Sequence, residues 1–199
     1  DIDFGANKAD GHGVDWPIRY DDIASWYDHV ETFAGITGSK EGLPQLPDGQ
    51  FQPAMAMNCA ELSMKQKLEK AYPERKLIIG RAAHLTAPTE EQMKLGRTRC
   101  QQRNECQRGC SFGAYFSSLS ATLPAARNTG NLTIVTDAVV DSVVYDDDAE
   151  RATGVRVVDA TTKSAREYNG KLVVLCASTL GTAQIMLNST SARFPNGIA

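Results

Sequence analysis

Three cysteines stand close together in a polar stretch, Cys100-Gln-Gln-Arg-Asn-Glu-Cys106-Gln-Arg-Gly-Cys110, with C-x5-C-x3-C spacing. Thiolates at such spacing can bind zinc or part of an iron–sulfur cluster. The same spacing suits one disulfide plus a free thiol, or three reduced cysteines. Cys59 and Cys176 read as core cysteines, small and apolar in habit. The histidines His12, His29 and His84 offer weaker chemistry. His12 sits in a glycine-rich turn, and His29 lies on an expected helix beside charged residues. Asp146, Asp147 and Asp148 lack the pattern of a calcium loop and read as a solvated hairpin tip.

A second place for chemistry lies in Lys171-Leu-Val-Val-Leu-Cys-Ala-Ser-Thr-Leu-Gly-Thr-Ala-Gln-Ile-Met-Leu-Asn-Ser189. The apolar run Leu172 to Leu175 predicts a short strand covered on both faces. Ile185, Met186 and Leu187 belong to a helix that follows. Between them, Cys176, Ala177 and Ser178 are small enough for a ligand to approach the backbone. In open α/β sheets, ligands bind at the carboxyl ends of strands, often against a helix N-terminus.

The elements that must position these residues are strands of an antiparallel excursion. Asn131–Thr136 predicts a first strand, Val139–Tyr145 a second and Ala152–Val158 a third. The acidic segment between the last two predicts a hairpin loop. A polar strand near Ala165–Tyr168 precedes Gly170. In the N-terminal half, Ile23, Trp26, Tyr27, Val30 and Phe33 have helical spacing, with Asp21 or Asp22 as cap and Gly35 and Gly38 as terminators. By that spacing Trp16, Tyr20, Trp26 and Tyr27 read as core aromatics. Glu41–Pro53, with Gly42, Pro44, Pro47 and Gly49, predicts a loop. Glu61–Ala71 suits a helix stopped by Pro73, and Leu77-Ile-Ile79 a short strand.

Composition fits one domain or parts of two: 199 residues, 42% hydrophobic, net charge −3. The acidic balance argues against nucleic acid as a partner, and no apolar run approaches the length of a membrane span.

This order of elements, with these residues, resembles the glucose-methanol-choline family of flavin oxidoreductases. The likeness rests on Asp15-Trp-Pro-Ile-Arg-Tyr-Asp-Asp22 with Trp26, Tyr27 and Glu31, and on Gly113-Ala114, Ser117 and Leu123-Pro-Ala-Ala126. Gly130-Asn-Leu-Thr133, Arg151-Ala-Thr-Gly-Val155 and the signature-like Leu175–Leu187 complete it. Departures are Ser178 and Thr190 where the family usually has Gly, and Ala183 where it has Pro. The bacterial branch related to gluconate and sugar dehydrogenase large subunits is the closest likeness.

The resemblance implies a mixed α/β (α+β) fold: part of a Rossmann-like FAD-binding domain with an antiparallel β-meander, plus part of a substrate-binding region. It assigns residues 1–112 to the substrate-binding, flavin-covering region and 113–199 to the FAD-binding domain. FAD is the implied cofactor, with Val140 on the adenine side and Ala177 and Ser178 at the dinucleotide turn. The implied reaction is hydride transfer from an alcohol or sugar CH–OH group to flavin. Some relatives in this branch carry an iron–sulfur cluster in a cysteine-rich loop, so a cluster-bearing electron-transfer module is the alternative. A small subunit or cytochrome acceptor is the implied partner, and the compartment, bacterial cytoplasm or periplasm, is left open. No G-x-G-x-x-G occurs, and no histidine matches the family's catalytic position. The expectation is therefore a middle section of a longer enzyme, with no catalytic residue of its own and little activity alone.

Overall fold

The computed structural model describes residues 2–198. The chain divides into two compact units, one ending at Leu132 and the other starting at Thr133.

The first unit is built from short helices and irregular loops. Helix α1 spans Ile2–Asp10 and α2 spans Tyr20–Ala34. Asp22 works at the start of α2 as a box partner rather than as the cap: its carboxylate accepts the N–H of Arg19 at 2.7 Å. Gly35 ends α2 in the left-handed region, φ +76°. A side chain at this position would also lie 2.1 Å from a methyl of Leu85, so only glycine satisfies both demands. Strands β1 (Thr37–Gly38) and β2 (Gln52–Pro53) form a parallel pair. Helix α3 spans Cys59–Ala71 and is capped by Asn58, which accepts the N–H of Glu61 at 3.0 Å. Helix α4 is Glu90–Lys94.

The interior of this unit is polar as well as apolar. Leu85, Ala34, Ala114 and Ala121 are buried, but so are Thr37, Gln92 and Arg97. Gln92 accepts the Gln52 amide at 2.9 Å and donates to the carbonyl of Thr32 at 3.0 Å. Gln52 in turn accepts the N–H groups of Thr86 and Ala87, each at 3.0 Å. These links hold loops that have few ladder bonds of their own, as buried polar groups must be partnered.

The second unit is an antiparallel meander with one helix. Strands β3 (Ala138–Asp146), β4 (Arg151–Asp159) and β5 (Ala165–Asn169) follow in order, as expected. Asp146 pairs with Arg151 across the acidic tip, and the Asp146 carboxylate accepts the N–H of Asp148 at 3.0 Å and of Ala149 at 2.9 Å. That closes the first hairpin. Asp159 closes the second by accepting from Thr161 and Thr162 at 2.9 and 2.8 Å. Helix α6 packs on β3 and covers Ser178–Asn188; the preceding α5 of the first unit covers Leu123–Asn128. Val143, Val157 and Ile185 form the buried core.

Several expectations are corrected. Leu172–Leu175 forms no strand: Leu172 is 81% and Val174 71% exposed. Asn131–Thr136 and Leu77–Ile79 are likewise outside any ladder. The physical reason is common to all three. A strand needs a neighbour, and these segments have the side chains of strands without a paired backbone. Trp16, Trp26 and Tyr27 are substantially exposed rather than core, with Trp26 at 68%. Cys59 and Cys176 are exposed too. Helical spacing says which residues share a face; it does not supply the surface that covers it.

Candidate functional site

A cavity of about 710 Å3 in the second unit lies among β3, β4, the end of β5 and the start of α6. This falls within the roughly 300–1,000 Å3 of small-molecule sites. Strand β3 contributes Ala138, Val139 and Val140, and β4 contributes Gly154 and Val155. Tyr168, Asn169 and Gly170 follow from β5, then the extended segment Leu172–Ala177, then Gly181, Gln184 and Ile185 of α6.

Two of the residues singled out from the sequence, Val140 and Ala177, meet in this one cavity. Val140 is half-buried and pairs with Val157. Directly after it the register shifts: Ser142 pairs with Arg156, leaving Asp141 as an extra residue on β3. Such a bulge bends and twists its strand. Ala177 stands at the N-cap of α6. Ser178, the third, is the first residue of α6 and is exposed, but it does not line the cavity. Its φ of +59° lies in the left-handed region. That is the conformation glycine adopts without strain, and it accounts for a serine here being a departure. Sequence reasoning missed Tyr168, Asn169, Gly170, Gly181 and Gln184. Only the spacing of Ala177 and Gly181, one helical turn apart, could have pointed to a small-residue wall.

The cavity is uncharged, since no Asp, Glu, Lys or Arg lines it. The segment Lys171–Cys176 makes no backbone hydrogen bonds within the described residues, so its N–H and C=O groups are open to a partner. Helix α6 begins without a side-chain cap, which leaves first-turn N–H groups and the positive end of the helix dipole exposed. Apolar walls, free backbone groups and an uncapped helix start suit a neutral ring system joined to an anionic group.

The cysteine loop is a separate place, in the first unit. Cys100, Cys106 and Cys110 are all free and partly buried, so no disulfide joins them. They line one small cavity of about 40 Å3. Among the described residues no three His, Cys, Asp or Glu side chains converge as a metal ion requires. The iron–sulfur alternative finds no support in this geometry.

A family model described as GMC oxidoreductase matches residues 12–196. The chain belongs to the GMC oxidoreductase family. The N-terminal domain of GMC oxidoreductases is Rossmann-like and FAD-binding. Among curated relatives, 2-methyl-1,2-propanediol dehydrogenase of Mycolicibacterium austroafricanum is 27% identical over 100% of this chain and 35% of that protein. Fructose dehydrogenase large subunit of Gluconobacter japonicus is 24% identical over 99% of this chain and 35% of that protein. Paromamine 6'-oxidase of Streptomyces fradiae is 25% identical over 96% of this chain and 33% of that protein. This GMC chain therefore spans about a third of the length of the relatives it matches. Among its described residues no helix is long and apolar enough to cross a membrane.

The residues present fit part of FAD. The cavity has room for the adenosine, its small residues allow close approach, and the uncapped start of α6 matches the charge of a pyrophosphate.

Proposed function

We propose that this chain forms the adenosine side of an FAD site in an oxidoreductase that acts on a CH–OH group of an alcohol or sugar. One observation carries the reading. In a GMC chain, Val140 and Ala177 line a single uncharged cavity beside a helix start with unspent N–H groups.

Each residue has a physical role. Val140 offers an apolar surface to a flat base, while the backbone of Leu172–Cys176 offers donors and acceptors to its edge. Ala177 and Ser178 keep bulk away from the dinucleotide. The first turn of α6 receives the phosphates. When bound, flavin supplies the hydride acceptor. No residue of this chain is assigned a proton-transfer role. Residues 1–112 are assigned to the substrate-binding, flavin-covering region and 113–199 to flavin binding. Support for an alcohol or sugar comes from two relatives named as a diol dehydrogenase and a fructose dehydrogenase. The second is named a large subunit, which is why a partner subunit is proposed here. Because no G-x-G-x-x-G occurs in residues 1–199, this stretch by itself should hold flavin weakly.

The test is flavin content and turnover in the intact protein. Purified protein should carry flavin, and a panel of alcohols and sugars with an artificial electron acceptor should bleach it and turn over. Ser178→Trp should lower the flavin-to-protein ratio far more than it lowers the unfolding temperature. Full flavin content and unchanged activity in that variant would remove the assignment of this turn.

A further inference from the structure

The uncharged cavity of the second unit is not wholly apolar. Three of its lining side chains end in a phenol or an amide: Tyr168, Asn169 and Gln184. Among the described residues none of the three has a side-chain hydrogen-bond partner. They differ in what they can read. A phenol oxygen is a single point, whereas a carboxamide carries a donor and an acceptor side by side. Asn169 ends β5 and is shared with a second cavity, lined also by Arg151 and Lys171. Gln184 stands in the helical wall of the uncharged one.

The period of α6 brings Gln184 there. Ala177, Gly181 and Gln184 follow at spacings of four and three, so they share one face of the helix, and all three line the cavity. Ile185, the next residue, fixes the helix to the core at 7% exposure. Side chains on a helix lean toward its N-terminus, so Gln184 lies over the turn that holds Gly181. That turn is open. Gly181 has no positive φ to require a glycine. Apart from its own helix backbone, a Cβ built there would meet only the Ala177 Cβ, at 3.2 Å, a crowding that a small shift relieves. A glycine inside a helix is destabilising relative to alanine. Neither conformation nor another element demands it here, and what it leaves is room beside the Gln184 amide.

Adenine has two polar edges that share its amino group, one with N1 and one with N7. The peptide groups of Leu172–Cys176 serve one edge. A carboxamide fits the other, accepting from the amino group and donating to N7, which is how Asn and Gln read adenine in a DNA groove.

We propose that Gln184 is the adenine-reading residue of this site: its Oε1 accepts from the adenine amino group and its Nε2 donates to N7. This assignment rests on the adenosine reading of the cavity. It makes the site selective for adenine dinucleotides, because guanine presents two acceptors, O6 and N7, on that edge and sets O6 against the Gln184 oxygen.

The test is the affinity of the intact, flavin-stripped protein for FAD and for the flavin dinucleotide of 7-deazaadenine, in which a C–H replaces N7. Equilibrium dialysis gives both dissociation constants. The unmutated protein should bind FAD about fivefold or more tighter than the 7-deaza compound, the worth of one hydrogen bond whose donor otherwise goes unmet. Gln184→Leu should weaken FAD and bind the two compounds within about twofold of each other. Gln184→Glu should weaken FAD further than Gln184→Leu, since it sets an acceptor against N7. Gln184 is exposed on its helix, so neither substitution should move the unfolding temperature of the flavin-free protein appreciably. Equal affinities in the unmutated protein, or a preference that persists in Gln184→Leu, overturns the assignment and leaves the flavin reading standing. Failure of the unmutated protein to bind either compound overturns the flavin reading and this assignment with it.

Discussion

The hydroxyl of Ser189 accepts the backbone N–H of Val143 at 2.8 Å and donates to the carbonyl of Ile185 at 2.6 Å. The serine is buried, one residue past α6, and Val143 sits just beyond the bulge of β3. Asn188 adds a second tie, from its amide to the carbonyl of Asp141 at 3.3 Å. The helix end thus satisfies backbone groups near the bulge. Ser189→Ala should leave the Val143 N–H buried without a partner, at a cost of about 1–3 kcal/mol. Denaturant unfolding of the intact protein measures this; a change under a few tenths of a kcal/mol would show that water replaces the hydroxyl.

Ser178 is held at φ +59°. A left-handed conformation costs a side-chain-bearing residue about 1–2 kcal/mol, part of which glycine gives back as chain entropy in the unfolded state. Ser178→Gly should therefore stabilise slightly, by up to about 1 kcal/mol, with flavin content unchanged. Ser178→Val, branched at Cβ, should destabilise. Thermal unfolding of the two variants side by side reads the sign directly.

Gly35→Ala should fail on two grounds at once. The new methyl meets Leu85 at 2.1 Å, and the backbone φ of +76° is unsuited to it. Left-handed strain and overpacking together predict a loss of about 2–4 kcal/mol. A fall in the denaturant midpoint at constant m-value would identify it as a folded-state effect.

The Asp147 carboxylate accepts from the backbone N–H of Arg193 at 3.0 Å and of Ala192 at 3.1 Å, and from the Ser191 hydroxyl at 3.1 Å. The Arg193 N–H, the first of these causes, helps hold its pKa below the ordinary 3.8. A depressed carboxylate contributes stability above the unfolded pKa and loses it as pH falls through the folded value. The segment around Ser191 should therefore loosen below about pH 4. Between pH 5 and 3, Asp147→Asn should lower the unfolding temperature less steeply than the unmutated protein does; parallel slopes would deny Asp147 a part.

The meander was legible because its signals are local. Val139–Tyr145 is rich in β-branched residues, Asp146 and Asp159 mark turns, and every partner lies a short distance along the chain. The helix at Ser178 was legible from Ile185, Met186 and Leu187. Leu172–Leu175 was misread for a physical reason: an apolar run records a demand for cover, and a ladder depends on a second segment that the run cannot specify. Buried Arg97 and Gln92 were invisible for the opposite reason. Their types are those of surface residues, and only carbonyls brought together by the fold make burial tolerable. Val140 and Ala177 were named from the family likeness, and the structure brings them to one cavity; sequence spacing of 37 residues gives no hint of that meeting.

The meander also has a history in time. Asp146 and Arg151 meet across four residues, and Asp159 and Ser164 across an equally short turn. Ser189 and Val143 are separated by 46 residues. Loop-closure entropy grows with the logarithm of that separation, and local pairings form first. The two hairpins can thus assemble as a seed, with the bulge already present in β3. Helix α6 then docks on it, and the Ser189 hydroxyl reaches Val143 as the last bond to close. A substitution at Ser189 should speed unfolding and leave the refolding rate nearly untouched, because the contact it removes is absent when the barrier is crossed.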